Sequence, residues 1–270
     1  MKFCILRSGS SGNCTLIEHE NSRILLDAGG MSQRGITELL SEVDLTPDKI
    51  NAMVATHLHS DHVNHSTISL CRKFGIPLYI HKHNLPVLSS LFDGNLIADI
   101  KTVSFTAGKP FSIGSLTMDA FDVSHDAEAL TSGFRFWGPS EDRFVSYASD
   151  LGCFPEELCE QFTNALHVVL ESNHDMEMLW SNPRRTYFHK KRVTSPTGHL
   201  SNEQAADALN AICCMSRNLP DRVILCHLSQ DHNTPDLAVE TVGKTLSQNG
   251  YSLRITAALR KKRTEFFELE

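Results

Sequence analysis

Four potential metal ligands fall within six residues of this chain, in the run Thr56-His57-Leu58-His59-Ser60-Asp61-His62. In extended backbone His57 and His59 project to the same side, because side chains alternate along a strand. Two imidazoles then converge on one ion. Asp61 stands where a helix through the following residues would begin, so it is expected to cap that helix and still ligate. His62 beside it turns toward a second ion. Nitrogen and oxygen donors in this mixture suit zinc, manganese or iron. The bland alternative is a polar loop of solvated histidines, which for two histidines would prevail. A His-x-His-x-Asp-His pattern directly after an apolar strand weighs against it, as other spaced motifs do.

Such a cluster needs rigid elements to hold it. Ile50–Thr56 is a short apolar run, a buried strand that delivers the chain into the histidines. Before it, Lys2–Arg7 and Cys14–His19 are β-rich and separated by the turn-forming Ser8-Gly9-Ser10-Ser11-Gly12-Asn13. Arg23–Asp27 is a further strand, and Ile36–Val43 has helical spacing. Pro77–His81 is expected as a strand and His83–Leu91 as a short helix. Strands follow over Lys101–Phe105, Pro110–Val123 with a turn at Gly114, Gly133–Trp137 and Arg143–Ser149. In the second half a helix is expected after Pro155, a strand at His167–Glu171, an alanine-rich helix at Asn202–Met215 and a strand at Arg222–Leu228. A helix after Thr234-Pro235 has good N-terminal signals, and Ser252–Ala257 closes as a strand. There is no internal repeat, low-complexity tract or linker, so residues 1–270 are taken as one layered α/β domain, sheet inside and helices outside.

Composition sets bounds on function. The 270 residues, 41% hydrophobic and 21% charged, suffice for a sizeable core. A net charge of −7 argues against binding nucleic acid by bulk electrostatics. It leaves room for a nuclease, because metal ions and a local basic patch can hold a phosphate on an acidic protein. The 8 cysteines form no Cys-x-x-Cys pair and no signal peptide is recognised ahead of them, so they are expected as reduced thiols in a cytoplasmic protein. No apolar run approaches the length of a membrane span. The 14 histidines are unusually many, and histidine is the commonest metal ligand.

The metal run resembles the signature of the metallo-β-lactamase superfamily, and further superfamily elements occur in the right order. Asp27 is similar to the aspartate that supports the metal loop. His125 in Ser124-His125-Asp126, Asp150 in Ser149-Asp150-Leu151 and His227 in Cys226-His227-Leu228 match the later motifs. The Ser8–Asn13 loop, Glu171-Ser172-Asn173-His174-Asp175 and Gly198-His199-Leu200-Ser201-Asn202-Glu203 are together similar to the YycJ/VicX/WalJ-type branch, which is related to the tRNA 3′-processing nucleases. Asn64-His65 departs from the glycine that many members place after the motif, and puts no ligand in doubt. The resemblance covers nearly the whole chain. It implies a four-layered αββα metallo-β-lactamase sandwich and two divalent metal ions. His57, His59 and His125 would hold one, Asp61, His62 and His227 the other, and Asp150 would bridge them. A carboxylate at Asp150 fits the phosphodiesterase side of the superfamily. The commonest zinc β-lactamases carry a cysteine there, and Cys153 is out of register for that role.

Two ions held by these residues would activate a water as hydroxide for attack on phosphorus, the chemistry the resemblance implies. Asp61 belongs to that machinery. The leaving alkoxide needs a proton, and Glu171 with His199 resembles the pair that supplies it in the tRNA-processing relatives. Weighed against this, His199 alone is a surface histidine before the good N-cap Ser201. His174 lines the site or only hydrogen-bonds nearby, the two readings being even. His232 is close enough in sequence to His227 to approach the pocket. His19, His65, His81, His83, His167 and His189 are expected to be structural or superficial.

For substrate contacts, Ser10 and Asn13 of the first loop and Asn173 are candidates. So are Lys190 and Arg192 in Arg184-Arg185-Thr186-Tyr187-Phe188-His189-Lys190-Lys191-Arg192, the densest basic stretch. Cations there would grip a nucleic-acid backbone, and Tyr187 or Phe188 would stack on a base. A solvated charge run is the plain alternative. The expected function is a metal-dependent phosphodiesterase or nuclease acting on DNA or RNA, with a DNA exonuclease as its narrowest form. The alternatives are a small-molecule phosphodiesterase or thioester hydrolase, and a metal-bound regulatory protein without turnover. Oligomeric state is open.

Overall fold

The protein was analysed as a computed structural model that describes residues 1–269. The first half contributes β1 (Lys2–Arg7), β2 (Cys14–His19), β3 (Ser22–Leu26), α1 (Gln33–Ser41), β4 (Ala52–Val54), α2 (His65–Phe74), β5 (Leu78–His81), α3 (Leu85–Leu91), α4 (Gly94–Ile97) and β6 (Thr102–Phe105). The second contributes β7 (Phe111–Ile113), β8 (Leu116–Val123), β9 (Thr131–Trp137), β10 (Val145–Ala148), β11 (His167–Glu171), α5 (Met176–Ser181), α6 (Tyr187–Val193), α7 (Asn202–Met215), β12 (Arg222–Cys226), α8 (Pro235–Gln248), β13 (Arg254–Ala257) and β14 (Phe267–Glu268).

The strands form two seven-stranded sheets, β14-β1-β2-β3-β4-β5-β6 and β13-β12-β11-β10-β9-β8-β7. Their apolar runs are near-continuous because both faces are covered. In β1, Phe3 and Ile5 face the second sheet while Cys4 and Leu6 face the outer helices. In β12, Ile224 and Cys226 face inward while Val223 and Leu225 pack with Leu209 of α7 and Val242 of α8. Alternation on a strand covered twice therefore generates helix, sheet, sheet and helix in that order, the expected four-layered αββα sandwich. β14 closes the chain by pairing with β1.

Local departures from expectation have physical causes. The helix after the metal run begins at His65 and is capped by Asn64, whose side chain accepts from the amides of Ser66 and Thr67 at 2.9 and 3.0 Å. Asp61 does not cap it and keeps its carboxylate for the site. After Pro155 the chain forms a 3₁₀ segment, Glu156–Gln161, instead of an α-helix. The charged run around Lys190 folds into α6, with Thr186 as its N-cap.

The thiols behave as small apolar groups. Cys4, Cys14, Cys71, Cys159, Cys213 and Cys226 are buried, and none of the eight is in a disulfide. Burial pushes Cys71 up to about 12 and Cys213 up to about 11. Among the described residues no helix is long and apolar enough to cross a membrane.

Candidate metal centre

The candidate ligands gather at one edge of the sandwich, where the strands that carry them end. β3 and β4 run parallel and stop just before Asp27 and the Thr56–His62 run. In the other sheet β10, β11 and β12 run parallel and stop before Asp150, at Glu171 and before His227. β8 points the same way and stops before His125. Asp27, Asp150 and His227 have φ of 58°, 58° and 53°. Residues with side chains pay for that left-handed conformation in strain, so it persists only where the surroundings impose it. Gly29 lets the loop after β3 press on the histidine run, since a Cβ there would stand 2.3 Å from the His62 amide nitrogen.

These ends bring together all seven residues named from the sequence. His125 Nε2 lies 3.3 Å from His59 Nδ1, and His57 shares a group with both. His62 Nε2 lies 3.2 Å from Asp150 Oδ2 and 3.5 Å from Asp61 Oδ2. His227 Nε2 lies 3.6 Å from Asp61 Oδ2. Asp150 Oδ1 stands between the groups, 3.8 Å from His125 Nε2 and 3.4 Å from His227 Nδ1.

Supporting contacts fix the rings. Asp27 accepts from the Thr56 amide and hydroxyl, both at 2.9 Å, and its Oδ2 lies 2.8 Å from His62 Nδ1. Thr56 Oγ1 also lies 3.0 Å from His57 Nδ1. His125 Nδ1 is 3.1 Å from the Gly198 carbonyl. Glu171, wholly buried, places Oε1 at 2.7 Å from His227 Nδ1 and 2.8 Å from His199 Nδ1. Its Oε2 accepts from the Leu151 amide at 3.0 Å.

Three buried atoms in this cage have no hydrogen-bond partner: His57 Nε2, Asp150 Oδ2 and His227 Nε2. Buried polar atoms are otherwise almost always satisfied. Nitrogen and oxygen donors aimed into one gap, with no cysteine sulfur in the groups, fit a hard or borderline divalent cation.

Electrostatics are consistent with that. Burial, then His62, keeps His57 well below the usual imidazole range, so it is a neutral donor. Burial opposes the charge on His62, yet Asp27, Asp150 and Asp61 outweigh it and raise its pKa well above normal. Burial likewise opposes the His227 imidazolium, but Asp150, Asp61 and Glu171 raise it to about 10. Burial would raise the Glu171 carboxyl, and His199 and His227 instead bring it down to about 2. The same balance, with His62 as the main cation, holds Asp61 below the usual carboxylate range.

A cavity of about 250 Å³ opens over the cage, with His59, Asp61, Asp150 and His199 among its walls. Ser10, Asn173 and Arg192 also line it. Asn173 Nδ2 donates to the His227 carbonyl at 2.8 Å, and Arg192 donates through Nη2 to Asp126 at 3.0 Å. Asn13 departs from the expected substrate contact: it is buried and not among the cavity walls, with its Nδ2 3.0 Å from His62 Nε2 and its Oδ1 accepting from the Gly9 amide at 2.9 Å. Lys190 departs from the sequence expectation. It is 8% exposed, and its ammonium donates to the Trp180 carbonyl at 2.7 Å, so it ties α6 to α5 and does not face the cavity.

From the basic stretch the sequence singled out Lys190 and Arg192 and set His189 aside as structural or superficial, yet Arg185 and His189 lie on the cavity wall with His232. A basic run next to His199 was the available signal, but which of its members face inward depends on the turn between α5 and α6. His174 is fully buried, and neither ring nitrogen has a partner.

Known proteins resemble this chain along most of its length. The model of the beta-lactamase superfamily domain matches residues 22–228. The chain is 35% identical over 251 residues to the exodeoxyribonuclease WalJ of Streptococcus pneumoniae, covering 92% of this chain and 88% of that protein. It is 30% identical over 254 residues to the exodeoxyribonuclease YycJ of Bacillus anthracis, covering 94% and 92%. Among solved structures it is similar to the metallo-beta-lactamase fold protein YhfI of Bacillus subtilis, with a TM-score of 0.74 at 16% identity and 98% of each chain covered.

Proposed function

Since the chain belongs to the metallo-β-lactamase superfamily, in the branch of the WalJ and YycJ proteins, we propose that it is a metal-dependent hydrolase of phosphodiester bonds acting on nucleic acid. The carrying observation is the unsatisfied cage of His57, Asp150 and His227 beneath an open cavity that carries His199 on its wall. The exodeoxyribonuclease names of both relatives support a nucleic-acid substrate, DNA before RNA.

His57, His59 and His125 would hold one divalent ion, and Asp61, His62 and His227 a second, with Asp150 shared. Zinc, manganese and iron all suit these donors. Such ions, when bound, acidify a water and offset charge that develops on phosphorus oxygens. The protein's own groups supply the rest. Asp27 and Thr56 hold the His57 and His62 rings in the orientation a ligand needs. Glu171 orients His199, and its buried carboxylate keeps a proton on the imidazole. Burial lowers the His199 pKa, but Glu171 and then Asp150 overcome this and raise it. A protonated His199 on the cavity wall is placed to give that proton to a departing alkoxide.

Nucleic acid would enter across α5 and α6. Tyr187 and Phe188 there are 61% and 84% exposed, and Trp180 beside them is 38% exposed. Large apolar rings left in water among Arg184, Arg185 and Lys191 favour a stacked, anionic strand. Residues 1–270 are read as one domain, which the pairing of β14 with β1 supports. A cytoplasmic setting is supported by the eight unpaired thiols.

The test is metal analysis joined to cleavage of labelled DNA, RNA and bis-p-nitrophenyl phosphate across zinc, manganese and iron. Cleavage of oligonucleotides that requires metal and is lost in Asp150→Ala and His59→Ala is expected. Activity that survives both substitutions, or hydrolysis of small esters alone, would overturn the nuclease reading.

A further inference from the structure

The cavity above the cage continues into a second, smaller hollow of about 180 Å³. Ser10, Arg185, Ser229 and Asp231 face both spaces, and Arg260 and Gln230 stand at the far side of the smaller one. The proposed hydrolysis assigns no role to Ser229, Gln230 or Arg260.

Its chemistry is that of an anion site. Arg185 donates through Nε at 3.0 Å and through Nη2 to Asp231 Oδ2. A guanidinium carries five N–H donors in a fixed fork, so this contact orients Arg185 and leaves others free. Arg260 is steadied in the same way by Gln230 Oε1 through Nη1. Two guanidinium groups against one carboxylate leave the hollow positive in a chain whose net charge is −7. The Ser10 and Ser229 hydroxyls add neutral donors.

The hollow is also fixed relative to the cage. Gly9 has φ of 133°, a conformation that side chains rarely adopt, and a Cβ there would press to 3.3 Å on the Leu228 carbonyl oxygen, so the glycine lets the Ser10 loop lie close against Leu228 and the Arg260 stem. The loop that carries Ser10 is tied at both ends to cage residues. Ser8 Oγ accepts from the His227 amide at 2.7 Å, and the Asn13 amide donates to the Asp61 carbonyl at 2.9 Å. A strand with one phosphate at the cage would therefore present its neighbouring phosphate to Arg185 and Arg260.

The geometry points to a second phosphate subsite, formed by Arg185, Arg260, Ser10 and Ser229, that takes the terminal phosphomonoester of a nucleic-acid strand while the adjoining diester lies over the cage. It rests on the nucleic-acid reading above. A terminal phosphate carries nearly twice the charge of an internal diester and three free oxygens. It is the better match for two guanidinium forks in a small space. Occupancy of this hollow would make cleavage depend on a strand end.

The experiment uses the full chain loaded with metal. Short single strands of one sequence carry a 5′ phosphate, a 3′ phosphate or hydroxyls at both ends, and kcat/KM is measured for each with wild type, Arg260→Ala and Arg260→Lys. One phosphorylated end is expected to be favoured roughly tenfold over the hydroxyl-ended strand, the size of one good charged contact. Arg260→Ala should erase that preference, and Arg260→Lys should keep part of it. Equal rates for all three strands with wild type, or an undiminished preference in Arg260→Ala, overturn the subsite and leave the nuclease reading intact. If no strand is cut while bis-p-nitrophenyl phosphate is hydrolysed, the nuclease reading falls and takes the subsite with it. A wild-type end preference stands as support even where Arg260→Ala fails to fold, and Arg260→Lys then decides whether the arginine carries it.

Discussion

Glu171 and His199 meet at 2.8 Å through the same carboxylate oxygen that lies 2.7 Å from His227 Nδ1. One buried oxygen thus orients a candidate ligand and a candidate proton donor together. Glu171→Gln keeps the shape and removes the charge, so both functions should weaken at once. Metal affinity is expected to fall by about 10–100-fold, as for other groups that back a ligating imidazole. The His199 pKa should also drop, because the first influence opposing its burial is lost. Metal titration and the acid-to-alkaline profile of kcat would record the two effects separately. An unchanged profile would remove His199 from proton transfer.

Loading the cage should release protons. His62 is raised well above its ordinary range and His227 to about 10, so both are charged at neutral pH without metal. A ligating imidazole must be neutral. Metal affinity is therefore expected to rise with pH across the neutral and mildly alkaline range, up to about 10 for the His227 contribution. Calorimetry in two buffers of different ionisation enthalpy measures the protons released. Affinity indifferent to pH would show that these rings do not bind metal.

His174 should make the fold sensitive to acid. Burial, opposed by Glu171 and reinforced by His199 and His232, holds its pKa at about 4. A histidine depressed in the folded state favours folding above its unfolded value near 6.5, and the advantage is lost as pH falls from there toward 4. The full loss is on the order of 3 kcal/mol. Urea melts at pH 8 and pH 4.5 should show a smaller acid penalty in His174→Leu than in wild type. Equal penalties would assign the acid sensitivity to other groups.

Tyr187 and Phe188 should contribute to strand binding and not to the chemical step. Base stacking is worth about 1–3 kcal/mol per aromatic ring. Tyr187→Ala with Phe188→Ala is expected to raise KM for single strands by tenfold or more on that scale. The same pair should change bis-p-nitrophenyl phosphate hydrolysis little. Parallel loss on both substrates would mean that the rings hold α6 in place.

The ligand residues were legible because each follows an apolar strand, and a strand's end is visible in sequence. The positive φ of Asp27, Asp150 and His227 was not. Asp tolerates that conformation without demanding it, and a histidine after Leu225-Cys226 gives no sign of it. Asp61 and Asn64 are both good caps by type, and the hydrogen bond from Asn64 Nδ2 to the Met31 carbonyl, made in three dimensions, goes with Asn64 as the cap. Lys190 looked like its charged neighbours until the turn between α5 and α6 brought it under the Trp180 carbonyl. The pattern of charges along a run does not reveal which member a later contact will bury.

The cage draws His57, His59, Asp61 and His62 from one sheet and His125, Asp150 and His227 from the other. At the opposite edge Phe3 packs on Phe136 and Phe267, with ring centroids 5.8 and 5.1 Å apart. The sandwich resembles a book with a greasy spine and a charged fore-edge, and a cation shared across the fore-edge would be its clasp. A cation bound there would tie the two sheets at one edge as the packed rings tie them at the other, so the ligand residues would serve cohesion of the leaves as well as chemistry.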